Sequence, residues 1–492
     1  MAIGQKQLNT CWHALQGIMM ICTFSQPEIV TKQLTFNNVG GRRKVRLSTN
    51  FLPIMGFTPG QGVTVSPLGF QKGFAVELAK GVEASHQVHQ RRYNRGRSNN
   101  PLESLVEFSS QQMIDRCFAS YTERFHVEMR PGRVVFSPLS NRVFSIVDRF
   151  RKSNPWRAFV GLTGGVDIHV MESLGWKADI VLEHRPPEAR DIASGRDLSE
   201  VHALNVLRNA APRILLCEDI HHLEIDRLAA LLSERPPIAL AHYSLGCDDH
   251  STAKSPVAKA KAVSDLSTMV DMVYPCLRQI EVIQPAVVVV ENVKGFSTSA
   301  AGIMMTTVLR RMGYHITESV LSGLGFGAYQ GRTRYYMVAS VYPGYEPPIG
   351  AANPSTPLPL WDVVEKHLAS CSDITDTKLI RAREQSTRTV TPYLTPESTR
   401  CPTVLKSQDR GIKDGIYIQH EGRIYKPSIE LIQELMSIPS DFDTSWMAKE
   451  QATETLGQSV DYALHQAVMS SVKAHIEVNC GRTTLVRHSL NS

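Results

Sequence analysis

No Cys-x-x-Cys pair occurs in the chain, and its nine cysteines are odd in number and widely spaced. Neither a disulfide framework nor a zinc ribbon is indicated, no metal is expected, and the expected compartment is reducing. No apolar run approaches the length of a membrane span. The stretch 12–22 is interrupted by His13 and Gln16 and has neither a basic leader nor a convincing cleavage site, so the expectation is cytoplasmic, nucleoid-associated if the source is bacterial. Internal repeats are absent. Hydrophobic residues make up 42% and charged residues 20%, which excludes the composition of a disordered scaffold. What is present is length: 492 residues, enough for roughly three domains with buried cores.

Charge is unevenly placed. The net charge is +6, yet residues 1–155 hold 20 Lys and Arg against 9 Asp and Glu, a surplus of 11 that leaves −5 for the remainder. A basic front end beside a nearly neutral remainder suggests nucleic-acid binding next to a separate catalytic or core unit; a solvated basic face is the alternative. Residues 44–78 alternate apolar runs at 45–47, 63–65 and 74–76 with Gly/Pro turns, which predicts two or three hairpin strands. Residues 86–101 are polar and basic and read as a linker, in which Arg91, Arg92, Arg95 and Arg97 could track phosphates and Tyr93 could stack. Beyond it, 110–121 reads as a helix, and 125–129 and 133–136 as strands.

After Pro155 the rhythm becomes strand, glycine turn, helix, strand. Strand ends fall at 159–160, 180–182, 214–216 and 238–241, a helix at 166–174, and the unbroken run 287–290 is of the kind buried on both faces of a parallel sheet. The fold class is α/β, doubly wound. Gly161, Gly164 and Gly165 let the backbone approach a ligand at the carboxyl edge of the first strand, and Glu183 ends the second strand, where a carboxylate can accept both hydrogen bonds of a ribose diol. The spacing is not Gly-x-Gly-x-x-Gly, which argues against a dehydrogenase.

The glycine segment FVGLTGGVDIHVMESLGW (159–176) is followed in order by Glu183, Glu218-Asp219-Ile220, Glu291-Asn292-Val293, Gln330-Gly331-Arg332-Thr333-Arg334, RIYKPSIELIQELMSIPSDF (423–442) and Gly457-Gln458-Ser459-Val460. This series resembles the motifs of the cytosine-C5 DNA methyltransferases. The resemblance implies a Rossmann-like methyltransferase domain that binds S-adenosylmethionine through Phe159, Gly161, Thr163, Gly164, Gly165, Glu183, Asp219, Ile220, Gln458 and Ser459. It implies Cys247 as nucleophile, Glu291 as the acid at N3, Asn292 as organiser of the Glu loop, and Arg332 and Arg334 as base- and loop-positioning groups. Cytosine C5 is a poor nucleophile, so a thiolate must add at C6 while an acid protonates N3, and the base must be flipped from its stack to be reached.

Two departures stand out. Around Cys247 the family's Pro-Cys-Gln-x-x-Ser becomes Gly246-Cys247-Asp248, with His250-Ser251 where the family has Phe-Ser. Two aspartates beside a thiol raise its pKa unless His250 or a phosphate-bound arginine offsets them. Gln458 stands where the family usually has Asn, which leaves an opening for a charge-modified cofactor. Cys217 and Cys276 read as core residues. A further, shorter resemblance links LSTNFLPIMGFTPGQGVTV (47–65) to the swapped-hairpin β domains of AbrB-like and SymE-like families, which would put Arg42, Arg43, Lys44 and Arg46 near a DNA-facing surface; a capping β domain is the alternative.

The expected organisation is a basic β-rich domain (1–85), a basic linker and α+β extension (86–155), the first part of the catalytic domain (156–341), a target-recognition region (342–422), the closing part of the catalytic domain (423–480) and a tail (481–492). In the recognition region Arg383, Gln385, Arg388, Gln408 and Arg410 are available to read bases. The expected function is a DNA (cytosine-5-)-methyltransferase acting on double-stranded DNA, with a cognate restriction endonuclease as a further partner and no membrane association. An RNA-directed relative and a DNA-binding regulator with an inactive methyltransferase fold stay open.

Overall fold

The computed structural model describes residues 8–480 except 16–17, 82, 93–101, 152, 187–188, 251–254, 265–267, 353, 355, 357, 387–389 and 411–414. The chain divides into two compact units, Met1–Ser145 and Ile146–Ser492. No helix among the described residues is long and apolar enough to cross a membrane.

The first unit is antiparallel. Six strands, in the spatial order Val30–Thr35, Arg124–Arg130, Arg133–Pro138, Phe74–Leu78, Gly62–Pro67 and His86–Gln87, make one sheet. Another joins Asn37–Val39, Arg42–Thr49, Leu102–Phe108 and His89–Arg92. The alternation predicted for 44–78 appears in burial, as in Val45 and Leu47, and apolar faces meet in a core where Phe74 stacks on Phe136 with ring centroids 4.7 Å apart. Two expectations need correction. The segment read as a linker supplies strands at His86–Gln87 and His89–Arg92, and the boundary at 85/86 cuts through both sheets. The reason is physical: these short strands pair through their backbones and expose most of their side chains, so hydropathy carries no trace of them. Tyr93, Arg95 and Arg97 lie outside the described residues.

Three of the four basic residues expected on a DNA-facing surface are paired within this unit. Arg43 donates to Asp115, at 2.9 Å, and to the carbonyls of Ala119 and Phe118, while Lys44 and Arg46 both pair with Glu107. Of the four residues expected on a DNA-facing surface, Arg42 is the exposed one.

The second unit carries a seven-stranded sheet, numbered within this unit as β1 (Arg157–Gly161), β2 (Lys177–Leu182), β3 (Ile214–Leu216), β4 (Leu240–Ser244), β5 (Val287–Asn292), β6 (His315–Ser322) and β7 (Thr333–Ser340). Their order is β3-β2-β1-β4-β5-β7-β6; β7 is antiparallel to both its neighbours, and the pairs from β3 to β5 are parallel. All six residues of β5 are buried, as the β-branched run predicts for a strand covered on both faces. The order reverses between β1 and β4, and in a doubly wound sheet the crevice beyond the carboxyl ends of the strands at such a switch point is where ligands bind. The closing helix, Tyr462–Cys480, returns to the helix after β1: His169 Nδ1 meets Tyr462 Oη at 3.0 Å, and Lys473 donates to the Leu174 carbonyl at 2.7 Å.

The segment expected to be the recognition region holds helices Leu360–His367 and Lys378–Glu384 and, with residues just past it, a small sheet of Ser372–Asp373, Arg423–Lys426 and Ile418–His420. The expected boundary at 422/423 therefore falls inside a hairpin, whose turn is Glu421-Gly422, both with positive φ.

Candidate active site

The turn after β1 closes on a carboxylate. Gly164 and Gly165 have φ of +67° and +110°, a region an L side chain resists, and this curls the backbone so that the N–H groups of Thr163 and Gly164 donate to Glu183 Oε2 at 2.7 and 2.8 Å. Oε1 accepts from the His184 N–H at 3.1 Å. Burial nevertheless outweighs these three donors and pushes the Glu183 carboxyl up to about 7. Asn205, which the sequence did not single out, donates to the Gly164 carbonyl at 2.8 Å and props the turn from the helix Val201–Asn209. Its only sequence signal is a polar residue on the buried stripe of an amphipathic helix.

At the end of β3, Asp219 accepts from the His221 backbone N–H and ring nitrogen, both at 2.9 Å, and remains half-buried, while Ile220 is buried. Phe159 is fully buried with its ring 5.6 Å from that of Tyr243, so it serves the sheet core. Gln458 is exposed at the end of the helix Lys449–Gln458, and Ser459 is buried, its hydroxyl donating to the Leu456 carbonyl at 2.7 Å. Carboxylates just past β2 and β3, beside a left-handed glycine turn, are acceptors suited to the hydroxyls of a nucleoside cofactor, and the Gly164 cradle, where an added Cβ would lie 3.8 Å from Thr455 Cγ2, leaves room for close approach.

The reactive candidates converge at the ends of β4 and β5. Ser244 pairs in register with Glu291 near the end of β5, and Cys247, three residues past the end of β4, lies within reach of the Glu291 and Arg334 charges. Asn292 Nδ2 donates to the Leu245 carbonyl at 2.9 Å, holding the thiol loop. Farther along, Gly295 lies under His250, where an added Cβ would meet the His250 carbonyl oxygen at 2.3 Å. Glu291 Oε1 lies 3.0 Å from Arg334 Nε. Burial raises the Glu291 carboxyl despite Arg334 and Arg332, which favours the protonated form an acid at N3 needs. Ser244 donates to Asp167 Oδ2 at 2.7 Å and also neighbours the Glu291 carboxyl.

Burial, then Asp248, raise the Cys247 thiol, and Arg334 and Arg332 oppose them. The expected aspartate penalty thus comes from Asp248 alone. Asp249 is engaged elsewhere, accepting from the Met269 N–H at 2.7 Å and the Thr268 hydroxyl at 3.0 Å. His250 brings no compensating charge, since burial pushes it toward neutrality. Lys406 pairs with Asp248 at 3.0 Å, a contact between distant segments that no local pattern announces. Ser251 lies outside the described residues.

Arg332 is a fastening rather than a free hand. Its guanidinium is buried and donates to the carbonyls of Val404, Gly457 and Ser459 at 2.9, 2.9 and 2.6 Å. Gln330 acts likewise, donating to the Leu435 carbonyl and accepting from the Val404 N–H. Several base-reading candidates are corrected. Arg383 is buried, donates to the Thr391 carbonyl and lies 4.9 Å over the rings of both Tyr393 and Tyr417. Gln408 spends both ends of its amide on Ile416 at 2.8 Å. Gln385 is exposed; Arg388 and the Arg410 side chain lie outside the described residues. Cys276 is buried as expected, but Cys217 is exposed, because β3 is an edge strand that ends one residue before it.

Residues 215–357 match the family model of the C-5 cytosine-specific DNA methylases. The likeness to that family covers this segment. It includes Asp219, Cys247, Glu291, Asn292, Arg332 and Arg334; the glycine turn after β1 and the closing motifs lie outside it. No curated protein matches the chain. Among solved structures, the S. pombe Dnmt2 methyltransferase is similar at 17% identity, covering 65% of this chain and 99% of its own, with a TM-score of 0.47. The Entamoeba histolytica methyltransferase EhMeth is similar at 15% identity, 65% and 98% coverage, and a TM-score of 0.49.

Proposed function

We propose that the protein is an S-adenosylmethionine-dependent DNA (cytosine-5-)-methyltransferase. The observation that carries this reading is the register of β4 on β5, with the Glu291–Arg334 pair at the carboxyl end of β5 and the Cys247 thiol, just past β4, near enough to feel both charges. Glu183, Asp219 and the Gly164-Gly165 turn would hold the cofactor, which supplies an electrophilic methyl group. Cys247 Sγ, as thiolate, bonds to C6 of a cytosine swung out of its helix. The Glu291 carboxyl holds a proton at N3, drawing in the electron pair displaced from the C5–C6 bond, so that C5 becomes nucleophilic. Arg334 orients Glu291, and Arg332 fixes the loops around it. After methylation a base removes the C5 proton and the C6–S bond breaks, returning the thiolate.

Transfer of label from S-adenosylmethionine to duplex DNA or to RNA, with Cys247→Ser beside the native chain, tests this reading. Label on C5 of DNA cytosine that vanishes in Cys247→Ser supports it. Label found only on RNA assigns the same chemistry to the other polymer, and transfer that survives the substitution removes the mechanism. No transfer to either polymer favours a DNA-binding regulator, the reading that Asp248 beside Cys247 supports.

A further inference from the structure

Behind the crevice, the core of the second unit contains three polar side chains from distant parts of the chain. Asp167 lies in the first turn of the helix Val166–Ser173, His242 in the middle of β4, and His465 in the first turn of the helix Tyr462–Cys480. Their exposures are 1%, 0% and 0%, and one ligand atom from each lies within 4.8 Å of the others. Asp167 Oδ1, both ring nitrogens of His242 and His465 Nε2 have no hydrogen-bond partner. Native interiors rarely leave such groups unmatched, because each has given up its water.

The remaining atoms of the cluster are oriented by neighbours. Asp167 Oδ2 accepts from the Ser244 hydroxyl at 2.7 Å, which leaves Oδ1 free. His465 Nδ1 lies 3.2 Å from the buried Tyr336 hydroxyl; when Nδ1 carries the hydrogen, Nε2 presents its lone pair. His242 Nδ1 is 3.9 Å from Asp167 Oδ2, too far for a hydrogen bond, and the two imidazole rings meet edge to face with centroids 5.0 Å apart.

We propose that Asp167, His242 and His465 bind a divalent transition-metal ion. Two imidazoles and one carboxylate suit Zn²⁺, Co²⁺ or Fe²⁺ and offer too few oxygens for Ca²⁺ or Mg²⁺. The ion would brace the helix that follows the glycine turn and the closing helix against β4. Because the ligands are enclosed, it enters as the chain folds and leaves slowly from the native protein. Sequence spacing conceals the site, since each ligand comes from a different element.

The test uses the full chain expressed in medium supplemented with zinc or, separately, cobalt, then desalted. The expected result is one ion per chain by elemental analysis, retained through EDTA treatment of the folded protein. The cobalt form should show the visible d–d bands of a low-symmetry nitrogen and oxygen site. His465→Gln and Asp167→Asn, judged folded by circular dichroism, should each lower metal content by about tenfold or more. A folded native chain with under about one tenth of an ion, or with metal that EDTA strips at once and neither substitution reduces, overturns the proposal and leaves ordered water as the occupant. If both variants fail to fold, the native chain's stoichiometry and cobalt spectrum decide alone.

Discussion

A thiol that is buried beside acidic groups reacts slowly unless positive charge lies equally close, and at Cys247 burial, Asp248 and Glu291 stand on one side and Arg334 and Arg332 on the other. Asp248→Asn should therefore speed iodoacetamide alkylation of the Cys247 peptide at pH 8 several-fold, measured by mass spectrometry, and shift the alkaline inflection of that rate to lower pH. Arg332→Ala removes three bonds to buried carbonyls and should cost about 3 kcal/mol or more in urea unfolding. Glu183 gives a pH signature with a definite sign. Its carboxyl is near 7 when folded and near the ordinary 4.5 when unfolded, so between those values the folded state keeps a proton the unfolded state has released. Stability should fall as pH rises through that window, by up to about 3 kcal/mol from this group, and level off above it. Glu183→Gln should flatten the curve in urea titrations at stepped pH. At this scale Cys247 and Glu291 could be proposed from sequence because the chemistry allows few residue types. Arg383 and Gln408 were misread because a polar side chain in a loop segment can be spent on tertiary closure, and one sequence does not tell the two uses apart.

At the scale of elements, the parallel strands were readable because burial on both faces leaves an unbroken apolar run, as at 287–290. Edge strands such as His89–Arg92 were not, since their order comes from backbone pairing. The packing of one loop on another is also invisible in sequence, and Gly295 under His250 is the instance that bears on chemistry. Gly295→Ala forces the Cys247 loop away from β5. Methyl transfer should fall by about a hundredfold, as a displacement near 1 Å can cause, while the chain stays folded; label transfer and circular dichroism on one preparation check both halves.

For the whole molecule, α/β class and a basic front end could be read directly, but the borders could not. The strands around 86–92 complete sheets begun before residue 50, and a hairpin bridges 418–426, so neither of those borders is marked by composition. The aromatic cluster of the first unit is its own source of stability. Phe136→Ala, which removes a ring touching Phe74, Phe108 and Phe125, should destabilise that unit's transition by about 3–5 kcal/mol in calorimetry.

The reach of Arg332 bears on how the protein is made. Its three acceptors are translated 72, 125 and 127 residues after it. A chain still emerging from the ribosome has the thiol and its acid partner but not the carbonyls that lock the arginine down, so the pocket can be completed only after Ser459 has been synthesised, and fragments ending earlier should be born inert.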